Sequence, residues 1–139
     1  MIGMAMKLDH EIIKKILLAF EKSETPYTDL RKIAELSGID YTDNRLFYHC
    51  ELLADQGLIV GQNGSSNIGI GSYDFPNDIV NVSLVNIRLS AMGHEYIAAI
   101  KKPEIWEKTK KVVGEGGLAI MVETAKSVLQ GFINSKVGI

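Results

Sequence analysis

A mainly helical α+β fold follows from three observations on this 139-residue sequence. Apolar residues recur at helical spacing through three early segments, and the third of these is closed by a glycine that runs straight into a strand-like triplet. A glycine, serine and asparagine tract then separates that triplet from an alternating apolar run. Three further amphipathic segments complete the chain.

The first helix is expected over about residues 9–22. Asp9 suits its N-cap, Leu8 and Ile13 can staple its start, and Ile12, Ile13, Ile16, Leu17 and Phe20 repeat at helical spacing. Thr25-Pro26 breaks it, because the residue before proline is pushed out of the α region. A second helix over 28–37 turns Leu30, Ile33 and Ala34 inward and stops at Gly38. The third, TDNRLFYHCELLADQGLI, starts from a Thr42 cap and ends at Gly57, with Leu58 folding back on Leu53 in a Schellman-like stop. At about 100° per residue, Leu46, Cys50 and Leu53 fall on one buried stripe. Asn44, Tyr48, Glu51 and Asp55 fall on the opposite face, with Arg45 at its margin.

Leu58-Ile59-Val60 reads as a strand. The tract from 61 to about 79 carries turn formers and no core pattern, so it is expected to be an extended loop, with short strand pieces around 68–70. Val80, Val82 and Leu84 share one face of the following run, and Val85, Ile87 and Leu89 the other, so a β-bulge between Leu84 and Val85 would turn both sets to the core. Ser90 caps a fourth helix to about Lys101 that buries Met92, Tyr96, Ile97 and Ile100. Pro103 fits the first turn of a fifth. There Ile105, Trp106, Thr109, Val112 and Val113 line one side, and the pairs Glu104/Lys108 and Glu107/Lys111 support the other. Gly114 and Gly116-Gly117 end it. A last helix over about 118–134 carries a broad stripe of Leu118, Met121, Val122, Ala125, Val128, Leu129 and Phe132.

Three helices with a tight second turn, followed by a two-stranded ribbon, make a winged helix-turn-helix arrangement. The expected organisation is therefore a winged helix-turn-helix domain over 1–101 with a β-hairpin wing and a long wing loop. A C-terminal helical extension over 102–139 packs on that domain or on a dimer mate.

Charge is unevenly distributed. Between Thr28 and Ser83 three basic residues (Arg31, Lys32, Arg45) face eight acidic ones; between Leu84 and Ile139 eight basic residues face five acidic ones. The wing loop contains no lysine or arginine. The helix-turn-helix half is thus acidic, where a DNA reader needs cations to neutralise phosphates.

The chemistry-bearing residues do not converge. Three histidines in separate elements and one cysteine make no tetrahedral metal set, so no metal or other cofactor is expected. His49 and Cys50 are adjacent on a helix and point about 100° apart, which rules out a thiol–imidazole dyad. The glycines of the wing lack the lysine and helix of a phosphate loop. Cys50 reads as a small buried hydrophobe, and Trp106 as core or interface. No catalytic residue is assigned, and the chain is not expected to be an enzyme. No apolar run nears the roughly 20 residues of a membrane span, and the Met1–Met6 leader lacks a signal-peptide core, so a cytoplasmic location is expected.

RLSAMGHEYIAAI followed by IWEK resembles the R-L-T-x-x-G-H-E-F-L-x-A-I and W-x-K signature of a bacterial and prophage family, the domain-of-unknown-function family numbered 2513. MKLDHEIIKKILLAFE, YHCELLADQGLI and Gly116-Gly117 are similar to its opening, its third helix and a late double glycine. Cys50 stands for the usual leucine, Ser90 for threonine, and Ala91 for a common aromatic. The resemblance implies architecture and a prophage context, with no established activity, and suggests Met6 as the original start. Within the motif, Gly93 is expected to let the fourth helix press on a neighbouring backbone, and His94 and Glu95 to bond locally or to the wing strand.

Two functions follow as expectations. The first is a DNA-binding transcriptional regulator that reads duplex DNA with Asn44, Arg45, Tyr48 and Glu51. Lys101, Lys102, Lys108, Lys110 and Lys111 would touch the backbone if they fold beside the third helix. The second is a protein-interaction module whose acidic third-helix face, with Phe47 and Tyr48, docks a basic protein. A homodimer through the last helix is compatible with either.

Overall fold

The computed structural model describes residues 6–138; residues 1–5, on which the leader reading falls, and Ile139 lie outside the described residues. The fold is α+β and mainly helical, in the order expected. Helices α1 (His10–Glu21), α2 (Leu30–Ser37) and α3 (Asn44–Asp55) precede strands β1 (Ile59–Gly61), β2 (Ile70–Asp74), β3 (Ile79–Val82) and β4 (Ile87–Leu89). Helices α4 (Ala91–Ile100), α5 (Pro103–Val113) and α6 (Leu118–Lys136) follow.

Local chemistry sets the helix ends. The Asp9 carboxylate accepts from the backbone N–H of Glu11 and Ile12 at the start of α1. The second helix begins later than expected. Thr28 is held in an extended bridge to Ile87, and Asp29 takes the cap by accepting from Lys32 N–H at 3.0 Å. The third helix is likewise capped one residue later, by Asp43 rather than Thr42. A carboxylate at this position accepts Arg45 N–H at 2.9 Å and complements the helix dipole, while the Thr42 hydroxyl donates to Asp40 instead. At the other end Gly57, at φ 70°, supplies the left-handed residue of a Schellman stop. Gly57 N–H donates to Ala54 O and Leu58 N–H to Leu53 O, at 3.0 and 2.9 Å.

The core is continuous from α1 to α6. Ile13, Ile16 and Leu17 from α1, Leu30 and Ile33 from α2, and Leu46, Cys50 and Leu53 from α3 are fully or almost fully buried. So are Ile59 and Ile87 from the ribbon, Tyr96, Ile97 and Ile100 from α4, and Met121 and Ala125 from α6. The last two helices pack on α4 and on each other. The proximal half of the α6 stripe (Leu118, Met121, Val122, Ala125) is buried, whereas Val128, Leu129 and Phe132 are half-buried. Two side chains expected inside lie outside: Met92 on α4 and Val112 on α5, each beyond the edge of its helix's packed stripe.

The ribbon departs from expectation in an informative way. Its inner part pairs β1 with β4 antiparallel, Ile59 opposite Leu89 and Gly61 opposite Ile87. Beyond Gly61 a 3-10 turn over Gln62–Gly64 swings β1 away, which leaves residues 83–86 without a ladder partner and splits the alternating run into β3 and β4. Leu84 is therefore exposed, and no bulge brings it to the core. The tract expected to be a loop folds into a second hairpin, β2 against β3, with the register shift in β2 between Ile70 and Tyr73. The hairpin rests on the core only through the half-buried Ile70, Val80 and Val82. Asn81 donates across it to Ser72, and the Tyr73 hydroxyl donates to Asp78, which stands at φ 58° in the turn.

Candidate partner-binding face of the third helix

The third helix is anchored through its buried side chains, packing on α1 and β1. His49, expected only as a non-catalytic neighbour of Cys50, is fully buried and ties α3 to the start of α1. Its Nε2 accepts the Asp9 backbone N–H at 2.9 Å, and its Nδ1–H donates to Arg45 O at 2.7 Å, an arrangement that requires the neutral imidazole. Burial lowers its pKa from the ordinary 6.5, consistent with that state. The Cys50 thiol, fully buried beside it, is pushed up to about 12 by desolvation and is inert as a nucleophile. Phe47, expected on the partner face, is instead 6 % exposed and meets Tyr41 edge-on at 5.8 Å between ring centroids. It lies a quarter-turn from Leu46 and Cys50, close enough to the buried stripe to be drawn in.

What remains outside is acidic. Glu51 and Asp55 are exposed, and Tyr48 is half-buried with its ring edge-on to His49. Arg45 is exposed but engaged. Its guanidinium donates to both carboxylate oxygens of Asp43, Nη2 to Oδ2 at 2.9 Å and Nε to Oδ1 at 3.2 Å. That hydrogen-bonded pairing holds the Asp43 carboxyl below the usual range, and the bond from the Thr42 hydroxyl does the same for Asp40. Both carboxylates are thus ionised at neutral pH around the N-terminus of α3. This is where a helix dipole would otherwise receive a phosphate. Asn44 donates to the Asp78 carbonyl at 3.4 Å, which moors the outer hairpin beside that same end. Between them lies a groove of about 430 Å³ lined in part by Arg31, Tyr41, Ile79 and Val82.

The C-terminal lysines lie elsewhere. Helix α5 packs chiefly on α6 and α4 and is tied to α1 through Glu11, so its cations gather on that side of the molecule. Lys101 pairs with Glu21 at 3.2 Å, and Lys110 with Glu11 at 2.9 Å and Glu107 at 3.4 Å. The expected pairs Glu104/Lys108 and Glu107/Lys111 do not form among the described residues; Lys110 takes Glu107 and also reaches across to α1. Lys102, Lys108 and Lys111 are exposed. Trp106 is a core residue, its Nε1–H donating to Glu11 at 3.2 Å and its ring flanked by Lys14 and Lys110. Among the described residues no group of His, Cys, Asp or Glu side chains is placed to hold a metal ion, and no helix is long and apolar enough to cross a membrane.

The signature segment explains itself in part. Gly93 packs against β1: a Cβ there would collide with the Leu58 carbonyl oxygen. Ser90 both caps α4, accepting Gly93 N–H, and donates its hydroxyl to Gly57 O. Of the late double glycine, Gly116 sits where a Cβ would crowd the Val113 side chain, and its carbonyl accepts from His10 Nε2–H at 2.9 Å; nothing in the structure requires glycine at Gly117. With the motif's backbone role in place, the family model described as "Hypothetical protein (DUF2513)" matches residues 7–119. The chain belongs to this family. No curated protein and no solved structure matches it. Against the structural roles of Gly93 and Ser90, His94 and Glu95 stand out. Both are exposed and neither bonds locally or to the wing strand among the described residues, contrary to expectation.

Proposed function

We propose that this member of the DUF2513 family is a non-catalytic winged-helix module whose third-helix face docks a basic segment of another protein, in a phage or host setting. One observation carries the reading. The single cation of α3, Arg45, is neutralised by Asp43, and Asn44 is occupied by the outer hairpin, so the outward charges are Glu51 and Asp55. A carboxylate-rich face attracts cationic peptides and repels phosphates over the same distances. The exposed Tyr73, Phe75 and Ile79 of the adjacent hairpin add the apolar surface that protein interfaces use at their centres.

A DNA-binding transcriptional regulator is the second reading. It is favoured by the order of elements, three helices with an exposed third helix and then a ribbon, which is the framework most often laid in a major groove. Charge reversal separates the two. A labelled Lys/Arg-rich peptide and a labelled DNA duplex are titrated with the full chain and with its Glu51→Lys, Asp55→Lys double variant. The wild type should bind the peptide, and the variant should lose the peptide and gain the duplex. Saturable duplex binding by the wild type that disappears in Arg45→Ala would establish the regulator reading instead.

A further inference from the structure

We infer that the groove between the signature motif and the α1–α2 connection binds the oxyanion end of a small molecule that carries a phosphate or a carboxylate. The inference is independent of the third-helix face. It starts from alternation in β4: Ile87 and Leu89 are buried, so Arg88 between them points outward. Ser90 then starts α4, and His94 and Lys101, seven residues apart, fall on one face of that helix. All three line a single groove of about 690 Å³, within the range of small-molecule sites. The opposite wall is the 23–28 connection, pinned by reciprocal backbone bonds between Thr28 and Ile87 at 2.8 and 2.9 Å. Thr28 is 9 % exposed, and its hydroxyl has no hydrogen-bond partner.

The charges in the groove do not cancel. Glu21 is its one carboxylate, and Lys101 meets it at 3.2 Å through a single ammonium contact, weaker than the two-point Arg45–Asp43 pair and open to exchange with a ligand. Arg88 spends one N–H on Leu89 O at 3.0 Å, and the rest of its planar fork has no protein partner among the described residues. A guanidinium in that state matches a carboxylate or phosphate in two-point fashion, with the Lys101 ammonium and the His94 imidazole alongside. Pro26 and Ala91, both exposed, supply apolar surface for the remainder of the ligand. This gives the exposed histidine of the signature a chemical role that packing does not.

The test is a two-dimensional NMR titration of the full chain with inorganic phosphate and, separately, with citrate, each against sodium chloride at matched ionic strength. Saturable shifts centred on Arg88, His94 and Lys101 are expected. Arg88→Gln should weaken binding about ten-fold or more. Lys101→Gln, which alters only an exposed pair, should weaken it measurably without changing the thermal unfolding midpoint. A response to phosphate alone assigns a phosphate ester, and a response to citrate alone assigns a carboxylate. The inference is overturned by shifts equal to those in chloride, by shifts centred on Lys108 and Lys111, or by unchanged affinity in folded Lys101→Gln and Arg88→Gln.

Discussion

The two halves of the β-ribbon are built on different principles. The inner pair, β1 with β4, is only three residues long on each side, yet Ile59 and Ile87 are wholly buried and Leu58 O is pressed against α4 at Gly93. The outer hairpin, β2 with β3, has the longer strands but only half-buries Ile70, Val80 and Val82 against the core, leaves Tyr73, Phe75 and Ile79 exposed, and adds cross-strand hydrogen bonds and its mooring at Asn44. Strand length thus says little about stability here. Contact with the helical core does.

The sharpest way to break this contrast is a paired truncation. Ile59→Ala removes a fully buried side chain and should cost about 2–5 kcal/mol, whereas Ile79→Ala on the outer hairpin should stay within about 0.5 kcal/mol. Urea denaturation measures both, and similar losses at the two sites would erase the distinction. Gly93→Ala tests the seam between β1 and α4. The added methyl meets a backbone oxygen that cannot rotate away, so a loss of about 1–3 kcal/mol is expected by the same measurement.

Acid sharpens the contrast on the helical side. His49 is neutral and doubly hydrogen-bonded in the folded state, with its pKa below the unfolded value of 6.5. Above that value the group contributes no pH dependence. As pH falls below it, the unfolded chain takes up a proton that the folded chain refuses, so stability should decline until the depressed folded pKa is reached. Asp43 and Asp40, held below the usual carboxylate range, add their own losses only at lower pH. The denaturation midpoint followed from pH 7.5 to 5 reads the histidine window directly, and a midpoint that rises on acidification would contradict the buried neutral imidazole.

The same contrast explains what was legible in the sequence. Wherever a segment buries one face, its period showed: α1, α3 and the proximal half of α6 carry the expected inward residues, and Gly57 and Ser90 terminate and start helices as their chemistry requires. The outer hairpin was only partly legible: strand pieces around 68–70 and the Val80/Val82 alternation were readable, but solvent covers much of it and its pairing left no strong apolar period. Its signal was weaker, an Ile68/Ile70 and Val80/Val82 alternation around the Asp74-Phe75-Pro76-Asn77-Asp78 turn. The composition of the third-helix face was readable residue by residue. That Arg45 would fold onto Asp43, and that Phe47 would turn inward, depended on cap geometry and neighbours that periodicity does not encode. Nor did spacing alone bring Thr28 beside Ile87, the contact that forms one wall of the Arg88 groove.

The claim on which the functional reading turns is that Glu51 and Asp55, with Arg45 tied to Asp43, make the exposed side of α3 unfit for a phosphate backbone. The direct measurement is fluorescence anisotropy of labelled duplex DNA titrated with the full chain, starting at about 50 mM salt, where electrostatic binding is strong, and repeated as salt rises. The account predicts no saturable binding beyond that of a neutral control protein at any salt concentration. Tight binding at low salt that falls steeply with added salt and is abolished by Arg45→Ala would contradict it.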